Sequence, residues 1–259
     1  MAEIPPKKSK NEILYFYGTL VFAALLISLG GLLYRNGYRL QSFNIVRAGS
    51  LEVSVYEAGS KIYIDNILQN TTNASEETIT FKNLSPKRHT VTVLKNGFHV
   101  WEKSLSIETD KTAKVSSFLA PLHFTIEKIT DSEEIKGLVP IFAKIAPPKD
   151  VMERAGDLAV WIENTSLFGG YFCEAPRKCQ NSAGEILKTE ENIKNVTFYK
   201  ERGDVLVFSH GKNIEEMEIN SQEKQNVHIL YSGTDPIFFK LAGDTLYIKD
   251  GKEYFKLKM

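Results

Sequence analysis

The segment from Ile13 to Tyr34, ILYFYGTLVFAALLISLGGLLY, carries no charged side chain over 22 positions. At about 1.5 Å rise per residue, a helix of that length covers roughly 30 Å, the thickness of a bilayer's hydrocarbon core. Tyr15, Phe16 and Tyr17 crowd one end and Tyr34 and Tyr38 mark the other, as interfacial aromatics do. A cleaved secretory signal is the competing reading, but its apolar region is usually shorter and ends in an A-x-A-like site, which does not follow Leu33 here. The expectation is a retained single-pass anchor at 13–34 behind a cytoplasmic tail at 1–12. Charge alone does not orient it, because Lys7, Lys8 and Lys10 on one side are matched by Arg35, Arg39 and Arg47 on the other. The short tail has no fold to translocate, whereas a long carboxyl-terminal chain crosses largely regardless of flanking charge. The N-terminus is therefore expected inside and the remainder outside the cell membrane.

Past the anchor, the chain of 259 residues has length for two modest domains, and its 42% apolar content suffices for packed cores. Lys plus Arg and Asp plus Glu balance at 32 each, without long runs of one sign. That balance argues against nucleic acid as a partner.

From Ser50 to Leu119 the sequence reads as short alternating strands at regular intervals: 51–56, 60–66, 77–84, 88–95, 98–107 and 111–119. Asn96-Gly97 tolerates positive φ and suits a tight hairpin between two of them. A small antiparallel β-sandwich follows, with Val53, Val55, Ile62, Ile64, Val91, Val93, Leu105 and Ile107 facing inward.

The succession EAGSKIYIDN, LSPKRHTVTVLKNGFHVWEKSLSI and FLAP resembles the PEGA domain, a β-rich module of bacterial and archaeal envelope proteins. The residues that carry the resemblance are Gly59, Tyr63, Ile64, Asp65, Leu84, Pro86, His89, Val91, Val93, Lys95, Gly97 and Trp101. Departures are Glu57-Ala58-Gly59-Ser60 for the tetrapeptide that names the family, Asn66 where Gly is usual, and Phe98 for Tyr. The resemblance spans 49–122 and implies a structural or binding module outside the membrane, with no catalytic group. Trp101 is expected in the core of this sandwich rather than as a sugar-stacking platform. A tight turn at Asn96-Gly97 sets His99 opposite Leu94 and His89 opposite Ser104, so the two histidines do not share a metal.

Pro140 and Pro147-Pro148 interrupt any long helix or central strand and mark a linker at 123–150. Beyond it, Gly156-Asp157, Gly203-Asp204 and Gly243-Asp244 recur at spacings of 47 and 40 residues. Aromatic strands precede the second and third pairs, and further strands follow them, as in four-stranded propeller blades. About three such units fit into 151–259, fewer than the roughly four to eight of an ordinary ring. The fold expected is thus mainly β: a transmembrane helix, a PEGA-like sandwich, then blade-like repeats as an incomplete propeller or β-sandwich. The last strand, EYFKLK, is the expected open edge.

Asp157, Asp204 and Asp244 suit turn amides. Cys173 and Cys179 flank a Pro-containing loop and can close a disulfide in an oxidising exterior or remain as thiols. Asn70, Asn73, Asn164 and Asn195 each head a glycosylation-like triplet but read as turn residues. Neither a phosphate loop nor a nucleophile elbow nor a zinc-protease motif occurs, so no enzyme, cofactor or metal is expected. Two functions fit: an extracytoplasmic scaffold or protein-interaction module, binding another envelope protein or itself, or a binding or sensor module for envelope polysaccharide or a small ligand.

Overall fold

A computed structural model describes residues 10–41, 44–75, 77–143, 152–171, 183–200, 202–219, 226–240 and 245–259. The chain forms two compact units, Met1–Thr92 with Ser104–Ser117, and Val93–Lys103 with Phe118–Met259.

The first unit begins with helix α1, Lys10–Arg35, which is long and apolar enough to cross a membrane. From Tyr15 onward its apolar side chains point away from the protein. It stops where Gly37 takes a φ of 82° and donates its N–H to Tyr34, a left-handed cap that glycine adopts without strain. Strands β1 (Tyr38–Gln41) and β2 (Asn44–Arg47) then form an antiparallel hairpin.

Two small sheets follow. One has the order β6-β3-β9, from β3 (Gly49–Val55), β6 (Glu77–Leu84) and β9 (Thr112–Ser116). The other has the order β5-β4-β7-β8, from β4 (Lys61–Ile64), β5 (Ile67–Thr71), β7 (Arg88–Leu94) and β8 (Trp101–Ser106). Alternation in β3 buries Leu51, Val53 and Val55, and Ile62, Ile64, Val91 and Ile107 are buried as their spacing predicts; Leu105 is only half-buried. Two details differ from the expected antiparallel sandwich. β3 and β9 run parallel, with Ser50 opposite Thr112 and Ser54 opposite Ser116. The stretch expected as one strand at 60–66 instead turns back at Asp65 and Asn66, both with positive φ (50° and 65°). That pair of angles makes the tight turn joining β4 to β5, and Asn at the usual Gly position still permits it.

The second unit holds three four-stranded antiparallel sheets. The first runs in sequence order through β11 (Met152–Ala155), β12 (Leu158–Glu163), β13 (Ser166–Tyr171) and β14 (Gly184–Lys188). The second comprises β15 (Ile193–Phe198), β16 (Val205–His210), β17 (Asn213–Glu218) and β18 (Val227–Ser232). Gly156-Asp157 and Gly203-Asp204 lie between the first two strands of their sheets, as the repeat requires. One face of the second sheet packs on the first through Val196, Phe198, Leu206, Phe208 and Met217 against Leu158, Val160, Ile162 and Leu167. β15 also meets the third sheet's β19 (Pro236–Lys240).

That third sheet takes its outer strand from far upstream. Its order is β10-β21-β20-β19, with β10 at Thr125–Lys128, β20 at Thr245–Asp250 and β21 at Glu253–Lys258. Thr125 pairs with Lys258 and Lys128 with Phe255, and Ile129 donates its N–H to the Tyr254 carbonyl at 2.8 Å. The expectation that EYFKLK forms an open edge is therefore overturned: β21 has a neighbour on both sides. Nor is 123–150 bare linker where it is described. Helix α2 (Ser132–Phe142) is capped by the Asp131 carboxylate, which accepts from the Glu133 N–H at 2.8 Å. Pro140 falls near its end, and Leu138 and Phe142, four apart on one face, pack with Ile129 and Tyr254.

Hydrogen exchange checks the doubly flanked position of β21. Amides of Tyr254 to Leu257 exchange more slowly than those of β18, a strand with one neighbour among the described residues. Leu257→Ala, at a fully buried side chain, costs about 2–5 kcal/mol and abolishes that difference.

Candidate functional site

In β17 the side chains of Ile214, Glu216 and Glu218 share one face and those of Glu215 and Met217 the other. Both faces of this strand are covered, so its glutamates cannot all reach water. Glu218, 4% exposed, receives the Trp101 indole N–H at 3.0 Å and the Lys103 ammonium at 3.3 Å. Trp101 and Lys103 lie two apart at the start of β8, on the hairpin tip that belongs to the same compact unit. Trp101 is buried as expected, but its polar edge is bound to the second repeat sheet.

Glu216 is in the opposite situation. It is fully buried, and neither carboxyl oxygen has a hydrogen-bond partner. Across the ladder it faces Val207 on β16 and His228 on β18. Burial pushes its pKa up to about 8, against a smaller lowering by Lys200, so the carboxyl stays protonated at neutral pH. The His228 ring stacks on that of His99, with centroids 4.3 Å apart and planes 25° apart. Burial, then the neighbouring His99, lowers the His228 pKa and favours a neutral ring. The expected register of His99 opposite Leu94 does not occur. Its N–H instead bonds to the Ala120 carbonyl at 2.8 Å, and Phe98 bridges to Pro121. The turn at Asn96-Gly97, with Gly97 at φ 84°, therefore opens a loop wider than two residues.

The PEGA-like positions separate into two groups. Asp65 and His89 meet: His89 is buried, Nδ1 lies 2.8 Å from Asp65 and Nε2 lies 2.8 Å from the Ser85 carbonyl. Burial alone would raise the Asp65 pKa, but the Thr90 N–H, the His89 ring and Lys87 outweigh it and hold the carboxyl below its ordinary value. This network ties the β4–β5 turn to the start of β7. Pro86 is buried beside it in sequence, Tyr63 is half-buried, and Gly59 at φ 75° donates to the Thr72 carbonyl. Trp101 and Gly97 belong to the other group.

Asp204 accepts two hydrogen bonds from the Arg202 guanidinium, at 2.8 and 2.6 Å, and Asp157 follows Gly156 in the first repeat turn. Asp244, Cys173 and Cys179 lie outside the described residues. No cluster of three or more metal-ligating side chains occurs among the described residues. Asn195, read as a turn residue, is instead buried in β15, donating to the Phe238 carbonyl and accepting from Ser209.

At the margin of the face that the second repeat sheet turns to the first lies an open cleft of about 330 Å³, lined on one side by Leu187 to Glu191 and on the other by Phe208, His210, Glu215 and Val227. There His210 Nε2 lies 3.1 Å from Glu215. Sequence reasoning passed over Glu216 and Glu218. The signal that could have found them is the run Glu215-Glu216-Met217-Glu218 in the third strand of a repeat, directly after the apolar VLVF of its neighbour. Acids on both faces of an interior strand must be buried on at least one of them.

Chemically, the hairpin tip and sheet form a latch made of an ion pair, an indole hydrogen bond and a ring stack, beside one neutral acid. Trp101→Phe keeps the ring but leaves Glu218 short of a donor, at a cost of about 1–3 kcal/mol; Trp101→Ala costs about 3–5 kcal/mol, both read from denaturant melts. Glu216 gives a pH signature. Its folded pKa of about 8 exceeds the ordinary 4.5, so the native state holds the extra proton and stability falls as pH rises from about 4.5 to about 8. Each unit of that separation is worth about 1.4 kcal/mol. The difference between wild-type and Glu216→Gln stability curves isolates this slope, because His228 contributes equally to both. No protein-family model matches the chain, and no curated protein aligns with it significantly.

Proposed function

We propose that the chain is a membrane-anchored, non-enzymatic protein of the cell envelope whose β domains act outside the membrane as a scaffold or protein-interaction module. The observation that carries this reading is the outer strand of the second repeat sheet. Among the described residues β18 pairs with β17 alone, as the end strand of its sheet, and it exposes Val227 and Ile229 (41% and 57%). A strand of that kind accepts a further strand from a partner, with main-chain hydrogen bonds supplying affinity and apolar side chains supplying selectivity. The apolar helix α1 supports the anchor, and the PEGA resemblance supports an extracytoplasmic setting. On this reading residues 1–12 are cytoplasmic and 40–259 are outside.

The cleft beside His210 and Glu215 supports a second reading, a module that binds an envelope polysaccharide or a small polar ligand. Lys188, Glu190, Glu191 and Glu215 offer both charges around an apolar floor formed by Phe208 and Val227, a composition that suits a hydroxyl-rich or zwitterionic molecule.

Protease added to intact spheroplasts removes the carboxyl-terminal domains and leaves the anchor; complete protection overturns the orientation. A photo-cross-linker at Ile229 captures the same protein repeatedly from native membranes, and one at exposed Glu163 does not. If neither position captures a partner and a glycan array shows binding that Glu215→Ala abolishes, the second reading replaces the first.

A further inference from the structure

The β1–β2 hairpin has an apolar surface that the described residues of its own unit leave exposed. Leu40 and Ile45 are direct cross-strand partners, 75% and 61% exposed. Tyr38 and Arg47 pair on the same face, since alternate residues of each strand share a side. That face thus carries an aromatic ring, two aliphatic side chains and a guanidinium, with the Arg47 guanidinium 5.7 Å from the Tyr38 ring centroid. The opposite face carries Arg39, Gln41, Asn44 and Val46.

The junction with α1 is fixed rather than free. Only Asn36 and Gly37 separate helix from hairpin. Arg39 donates to the Tyr34 and Tyr38 carbonyls, both at 2.9 Å, and to the Asn83 carbonyl at 2.7 Å, while its guanidinium lies 3.9 Å from the Tyr34 ring centroid. The Ala48 N–H bonds to the Gly37 carbonyl at 2.7 Å and closes the base of the hairpin. At about 3.3 Å per strand residue, Leu40 lies within about 17 Å along the chain of Arg35, where α1 ends.

We propose that the face of the β1–β2 hairpin formed by Tyr38, Leu40, Ile45 and Arg47 is a lipid-contact surface that sits in the headgroup region of the leaflet that α1 leaves. The inference rests on α1 spanning the membrane, because the occupant follows from continuity with that span. Aliphatic side chains at this depth enter the boundary between headgroups and acyl chains, aromatic rings favour it, and arginine meets lipid phosphate there. With the helix end and sheet strand both held by Arg39, such contact sets the tilt at which the first β unit leaves the membrane.

The test uses the full chain in nanodiscs of mixed anionic and zwitterionic phospholipid, with Cys173 and Cys179 replaced by Ser. An environment-sensitive fluorophore is placed singly at Leu40→Cys, Ile45→Cys, Asn44→Cys on the opposite face, or Leu25→Cys within α1. Lipids brominated near the glycerol quench the labels at 40 and 45 and shift their emission to the blue, but leave 44 unaffected. Lipids brominated near the chain ends quench 25. Quenching at 25 with aqueous spectra at 40 and 45 overturns the inference and leaves the membrane span standing. Absence of quenching at all four positions overturns both. Blue-shifted but unquenched labels at 40 and 45, with energy transfer between copies sharing a disc, assign the face to a second copy of the chain and overturn the lipid contact.

Discussion

The pairing of β10 with β21 is the constraint on which the second unit depends. It joins the strand that enters the repeat region to the one that ends it, and so completes the third four-stranded sheet. Without it, β21 would be an apolar edge with a full row of unpaired amides, and α2 would lose the Tyr254 surface on which Leu138 and Phe142 pack. The third sheet thus reaches four strands, like the two before it, by borrowing a strand that precedes them all in the chain.

The second repeat sheet is covered in two different ways. On the side that faces the first sheet Val196, Phe198, Leu206, Phe208 and Met217 form an apolar core, with the His210–Glu215 pair at its margin, and ordinary packing suffices. The other side carries Glu216, Glu218 and His228, where burial of polar groups has to be offset one by one. Glu218 is offset by a donor and a cation; Glu216 is tolerated only by keeping its proton. A hairpin tip held in that way is specific, since both Trp101 and Lys103 must be in place, while the neutral acid on the same face of β17 lowers the stability of the fold as solution becomes alkaline.

Much of this architecture was legible in the residues. The uncharged span, the alternation that buries Val53, Val55, Ile62, Ile64 and Val91, and the Gly-Asp turns of the first two repeats all follow from periodicity and local turn chemistry. Short-range rules were sufficient because each of these features is decided within a few residues. The turn at Asp65-Asn66 was also local, yet it was hidden by an apolar-polar alternation that continues through it. The candidate site was less legible: Trp101 was singled out for burial rather than for the bond to Glu218, and His99 was weighed only against His89, not against His228.

Strand period, helix length and the positive φ available to Gly and Asn were determined by the sequence itself, since steric and hydrophobic preferences act on neighbouring residues. Which strand lies beside which was decided by the tertiary structure. A four-residue segment at Thr125–Lys128 has no signal that directs it to a partner more than a hundred residues later, and Glu216 has no local feature that distinguishes it from the half-buried Glu215 beside it. Both depend on surfaces that exist only after distant segments have met. The physical reason is the same for each: backbone pairing and desolvation are set by what approaches from outside the segment, and neither is encoded in its own period.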